Sequence, residues 1–149
     1  MLETKFLAMR LKLKAQWKII HDFKPTEYLD DQYPRYSLGV SVDGRVGLDI
    51  FSSSSDFGLE LWNTDGEDQQ LVESNQLPRI GEWTRIEISH EEEDGKFFLS
   101  FGVAGRELER KEATDLELQG TTDVAIGIGL GTSYIQPGLI RRLVVLQKE

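Results

Sequence analysis

From Leu7 the chain alternates. Leu7, Met9, Leu11, Leu13, Ala15, Trp17, Ile19, His21 and Phe23 take every second position, and Ala8, Arg10, Lys12, Lys14, Gln16, Lys18, Ile20 and Asp22 fill the gaps. A period of two marks a strand with one buried face. At about 3.3 Å per residue the run would exceed about 50 Å, so it predicts two strands joined by a bend near Lys14 to Gln16 and closed by Pro25.

Three Asp-Gly pairs punctuate the chain beyond Pro25. Asp43-Gly44 separates Tyr36 to Val42 from Arg45 to Phe51, Asp65-Gly66 separates Phe57 to Asn63 from Gln69 to Glu73, and Asp94-Gly95 separates Trp83 to Ser89 from Lys96 to Val103. Both central residues of a type I′ turn need φ > 0, which Asp-Gly accepts. Ala104-Gly105 predicts a further turn into Arg106 to Lys111. Asp123 to Leu130 and Leu139 to Leu146 complete the strands, with Pro137-Gly138 in the loop between them. Ser52 to Asp56 reads as a serine-rich loop, and Ala113 to Thr121 has room for one helical turn. Strands at roughly 8–12-residue spacing, without a long helical period, predict an all-β antiparallel sandwich of jelly-roll type as a single domain over 1–149. A barrel around a small apolar ligand shows the same alternation and is the alternative architecture.

Alternation also assigns faces. Thr84, Ile86 and Ile88 oppose Trp83, Arg85 and Glu87, and Phe97, Leu99, Phe101 and Val103 form one core face. Trp17, Ile86, Phe97, Phe101 and Ile126 are expected to be largely buried. The last strand shows no contrast: Leu139, Leu143 and Val145 fall on one face and Ile140, Val144 and Leu146 on the other. That pattern predicts cover on both sides or an interface.

Composition narrows the chemistry. With 17 Lys plus Arg against 26 Asp plus Glu, the 149-residue chain carries a formal charge of −9, which disfavours nucleic acid as a partner. The absence of Cys excludes disulfides, thiolate zinc sites, iron–sulfur clusters and Cys nucleophiles. No apolar run approaches the ~18 residues of a membrane span, and no leader pattern of basic, apolar and small residues is visible, so neither membrane insertion nor a signal peptide is expected.

Four segments in order, "QWKIIHDFKPTEYL", "GEWTRIEISHEEEDGKFFLSFGVAGREL", "TDVAIGIG" and "QPGLIRRLVV", resemble the concanavalin A-like lectin/glucanase sandwich, the superfamily of laminin G-like modules, galectins and pentraxins. The resemblance spans Gln16 to Val145. It implies a non-catalytic recognition module, extracellular, with carbohydrate as the ligand class on one sheet face or its edge loops. The only near matches to the galectin strand motifs, His21-Asp22 and Trp62-Asn63-Thr64, do not reproduce the set, and the E-x-D-x-x-E strand of glycoside hydrolases on this scaffold is missing, so no enzyme is expected. The rival reading is a structural or adhesion module that binds protein or itself, with Phe57, Trp62 and the last strand as its apolar surface.

Gly127 and Gly129 are the least ordinary strand residues. They share the face opposite Val124, Ile126, Ile128 and Leu130, and glycine inside a strand often marks close approach by another backbone or a ligand. A ligand floor there would have Tyr33, Tyr36, Trp62 or Tyr134 as stacking walls, so Tyr33, Tyr36, Trp62, Asn63, Gly127, Gly129 and Tyr134 are the candidate binding residues. His21 is expected to be a packed, hydrogen-bonded core residue and His90 an exposed turn residue. No cofactor is expected; the metal reading is Ca²⁺ at Asp65, Glu67 and Asp68, or at Asp30 and Asp31. Arg10, Lys12, Lys14 and Lys18 form a basic stripe, either a solvated face or a dock for an anionic partner, another copy of the chain included.

Overall fold

The computed structural model describes residues 2–3, 7–30, 33–42, 46–63, 69–112, 122–128 and 134–148. Its strands are β1 (Leu2–Glu3), β2 (Leu7–Leu13), β3 (Gln16–Pro25), β4 (Arg35–Val42), β5 (Val46–Ser52), β6 (Phe57–Asn63), β7 (Gln69–Ser74), β8 (Thr84–Glu93), β9 (Lys96–Val103), β10 (Arg106–Glu112), β11 (Thr122–Ile128) and β12 (Gly138–Lys148). They form two six-stranded antiparallel sheets: sheet A in the order β1-β12-β3-β8-β9-β10 and sheet B in the order β2-β11-β4-β5-β6-β7. The long opening run bends at Lys14 and Ala15 and so enters both sheets. Asp94-Gly95 (φ 52° and 80°) and Ala104-Gly105 (φ 53° and 78°) have the two positive φ values of the expected turns. Asp43-Gly44, Asp65-Gly66 and the Ala113 to Thr121 segment lie outside the described residues.

One apolar core fills the space between the sheets. Trp17, Ile19, Phe23, Ile86, Ile88, Leu99 and Phe101 enter it from sheet A, and Leu38, Val40, Val42, Leu48, Ile50, Leu59, Ile126 and Ile128 from sheet B. Phe57 of β6 meets Phe101 of β9 across the gap, with ring centroids 5.9 Å apart. Phe57 is therefore core and contributes nothing to an apolar surface. Phe97 is half-buried, whereas Trp17, Ile86, Phe101 and Ile126 are fully buried. Two separate sheets over a shared core replace the barrel alternative.

Both histidines depart from expectation. β8 runs on to Glu93, which keeps His90 on the core face after Ile86 and Ile88; it is buried, stacked on Phe97 (4.9 Å) and Trp17 (5.9 Å), and its Nδ1 lies 2.6 Å from the Ala15 carbonyl oxygen. Burial lowers its pKa. His21 is fully buried, yet neither ring nitrogen has a hydrogen-bond partner among the described residues. Desolvation holds it down to about 4, against a smaller opposing pull from Asp22.

The last strand is one-sided after all, because a β-bulge interrupts it. Arg141 pairs with Asp22 and Val144 with Ile20, so one extra β12 residue lies between them, and Arg142 takes φ 53°. The insertion reverses the alternation. Ile140 faces the core before it and Leu143 and Val145 after it, leaving Val144 and Leu146 exposed outside. The opening bend likewise divides the basic stripe: Arg10 and Lys12 lie on edge strand β2 of sheet B, and Lys18 on β3 of sheet A, 4.0 Å from Glu91.

Candidate functional site

The outer face of sheet B is built differently from an ordinary solvated sheet. Register aligns Gly127, Gly39, Asp49, Glu60 and Gln70 in one row across β11, β4, β5, β6 and β7. The adjoining row holds Arg10, Ala125, Ser41, Gly47 and Trp62. Asp49 and Glu60, directly opposed on neighbouring strands, are only 5% and 8% exposed.

Two glycines make that packing possible. The Asp49 carboxylate lies where a Cβ on Gly39 would stand, and the Trp62 indole lies where a Cβ on Gly47 would stand. Each is the cross-strand partner of the glycine it covers, so both side chains lie down across the neighbouring strand. Any larger residue at Gly39 or Gly47 would force its partner upright. Trp62 is half-buried, with its Nε1 hydrogen sequestered and without an acceptor among the described residues.

A second bulge delivers Tyr36. By simple parity Tyr36 belongs with Leu38, Val40 and Val42 in the core, but the β4–β5 register shifts between Tyr36 and Gly39. The extra residue turns Tyr36 outward opposite Phe51, and its hydroxyl donates to Glu60 Oε1 at 3.1 Å. Bulges commonly re-aim a side chain in this way. Beyond Tyr36 the sheet ends in an aromatic rim: Tyr33 and Tyr134 stack at 5.1 Å, and the Arg35 guanidinium carbon lies 5.3 Å from the Tyr134 ring. The rim is anchored because the Tyr36 amide donates to the Tyr134 carbonyl and the Gln136 amide to the Tyr36 carbonyl, both at 2.8 Å.

Of the candidates from sequence, Tyr36, Trp62 and Gly127 lie on this outer face, with Tyr33 and Tyr134 at its β4 end. Asn63 ends β6, and Gly129 lies outside the described residues, as do Asp31, Asp65, Glu67 and Asp68 of the calcium reading. No group of three or more His, Cys, Asp or Glu able to hold a metal occurs among the described residues. Asp49, Glu60, Gly39 and Gly47 were not singled out from sequence. A groove of about 340 Å³ lies on sheet A at the start of β3 and the ends of β8 and β12, lined by Gln16, Trp17, Lys18, Glu91, Leu146 and Gln147. Its side chains spread along a solvated strand end, whereas on sheet B an aromatic plane, two carboxylates and a phenol converge on one floor.

This arrangement of sheets recurs in solved structures. The carbohydrate-binding module CBM40 of a Ruminococcus gnavus IT-sialidase, bound to α2,3-sialyllactose, superposes with a TM-score of 0.62 at 18% identity, over 89% of this chain and 76% of that one. Sheep galectin-11 gives 0.58 at 10% identity over 94% and 96%. An alginate lyase of polysaccharide lyase family 7, AlgAT5, gives 0.58 at 12% over 93% and 62%. This is the concanavalin A-like jelly roll. No protein-family model matches the sequence, and no curated protein matches it. The likeness is one of fold, and the fold carries binding modules, a lectin and an enzyme alike.

Proposed function

We propose that the chain is a non-catalytic carbohydrate-recognition module whose glycan lies along the outer face of sheet B. The observation that carries this reading is Trp62 laid flat over Gly47, one row from the buried Asp49 and Glu60. A sugar presents an apolar ring face and a rim of hydroxyls. An indole plane suits the first and carboxylates the second, because ionised carboxylates accept strong hydrogen bonds. Tyr36 fixes Glu60 in place, and Tyr33 and Tyr134 extend the aromatic surface along the strand direction. Gly127 continues the proposed surface on β11. The carbohydrate-binding neighbours make this the natural ligand class for the scaffold, and such a module would meet its polysaccharide outside the cell.

A glycan array followed by calorimetry on the best ligand tests it. Wild type should retain a defined oligosaccharide and return it uncleaved after prolonged incubation. Trp62→Ala and Glu60→Gln should lose binding with the fold preserved by circular dichroism. Retention undiminished in both variants, or no retained glycan on the array, would overturn the reading.

Self-association is the second reading, favoured by β12. Among the described residues β1 covers only Leu139 and Ile140, so the rest of β12 is a sheet edge, with Val144 and Leu146 43% and 50% exposed beside it. Light scattering of wild type against Leu146→Lys distinguishes a dimer from a monomer.

A further inference from the structure

The outer face of sheet A carries a cluster that glycan recognition on sheet B leaves unused. In a regular strand Arg141 and Arg142 would leave the sheet on opposite faces. The β12 bulge brings both to one carboxylate: Arg141 Nε donates to Asp22 Oδ2 at 3.1 Å and Arg142 Nη1 to the same oxygen at 3.5 Å. The Arg141 guanidinium carbon also lies 4.0 Å from the centroid of the Trp83 ring, and Lys24 Nζ lies 5.1 Å from it. Arg85, across the ladder from Asp22, is turned instead to Glu87 at 3.0 Å.

The charges do not cancel. Arg141 and Arg142 share the single carboxylate of Asp22, and Lys24, over Trp83, makes no ion pair among the described residues. The surplus positive charge stands on a chain of net charge −9. Its geometry is prepared in advance, since Asp22 holds one edge of Arg141 and Trp83 supports its plane, leaving terminal N–H donors for a further acceptor. Arg142 has a side chain 73% exposed and backbone in the left-handed region, which is strained for a residue with a Cβ and would not be for glycine. The acidic remainder of the surface repels a long polyanion, whereas one compact oxyanion feels mainly the local cations.

We propose that Lys24, Arg141 and Arg142, set around Trp83 and Asp22, form a binding site for a single tetrahedral oxyanion, as in a sulfate or phosphate monoester. The site stands on the sheet opposite the proposed glycan face and does not depend on it. Titrating inorganic phosphate, then inorganic sulfate, at low salt while following the indole N–H resonances of Trp17, Trp62 and Trp83 tests the site. The Trp83 signal should move saturably at millimolar anion, and added sodium chloride should weaken the effect. Lys24→Gln and Arg142→Gln should each reduce affinity about tenfold, equivalent to about 1.4 kcal/mol. Arg142→Gly removes the guanidinium while relaxing the backbone, so it keeps the fold and must show the same loss. Arg10→Gln, on sheet B, should bind as wild type. A response to phosphate but not sulfate, or the reverse, names the source of the oxyanion and supports the site. An unmoved Trp83 signal, or wild-type affinity in the Lys24 and Arg142 variants, would overturn the proposal.

Discussion

The two outer faces of the sandwich share strand geometry and alternation but solve different problems. On sheet A long charged side chains stand in solvent and pair across strands, as in Lys18 with Glu91, Lys96 with Glu112 and Arg110 with Glu93. Such exposed pairs contribute little to stability, and losing one changes little. On sheet B the equivalent positions hold glycines beneath reclining side chains and two opposed, buried carboxylates. Strand glycines cost conformational entropy, and here they leave room for the side chains that cover them. The two faces thus differ in packing: exposed ion pairs on sheet A, and polar side chains lying close over glycine on sheet B. The exception on sheet A, the Arg141–Arg142 bulge, is also the place where that sheet leaves cations in excess.

The contrast can be broken at several scales. Both buried histidines lie on the inner side of sheet A, none of the core residues from sheet B titrates, and His21 stays neutral in the fold until about pH 4 while the unfolded chain takes up its proton near pH 6.5. Stability should therefore fall by about 3 kcal/mol as pH drops through that interval, with no further contribution from His21 below it. Urea midpoints at pH 7 and pH 4.5 measure this, and His21→Leu should flatten the dependence. Next, Gly47→Val on sheet B displaces Trp62 and should cost about 1–3 kcal/mol, whereas Gly102→Val on sheet A, where a Cβ would stand 3.3 Å from the Arg106 carbonyl oxygen, should cost less. Equal losses in chemical denaturation would abolish the distinction between the faces. Arg142→Gly should raise stability by about 1 kcal/mol through relief of its positive φ, visible as a higher melting temperature. Lys96→Ala, which removes one exposed pair, should change stability by less than about 0.5 kcal/mol.

Most of the fold was readable because alternation and turn chemistry are local. The strands from β2 to β12, the bend near Lys14, and the turns at Asp94-Gly95 and Ala104-Gly105 all follow from residues within a few positions of each other. What escaped depends on insertions into ladders. A two-residue turn at Asp43-Gly44 implies a register one step away from the observed Val42 opposite Val46, and under that register Asp49 would face Leu38 instead of Gly39. Nothing local to the sequence therefore set Asp49 against Gly39, and neither Asp49 nor Glu60 stood out. The bulge at Arg142 erased the parity of the last strand and made it look two-faced, and the bulge after Tyr36 hid the reason a tyrosine of core parity faces outward. The one informative signal was glycine at outward strand positions; it pointed to Gly127 and applies equally to Gly39 and Gly47.

The open margin of β12 has a consequence for exchange with deuterated water. Beyond Ile140 only β3 pairs with this strand among the described residues, so successive amides from Val144 to Lys148 point alternately toward β3 and away from it. In an isolated chain their exchange rates should form a sawtooth, slow at each amide bonded to β3 and fast at its neighbour. A second chain docked along that margin would protect the fast set and level the pattern, so the distribution of isotope along this stretch reports whether the strand ends a sheet or continues one.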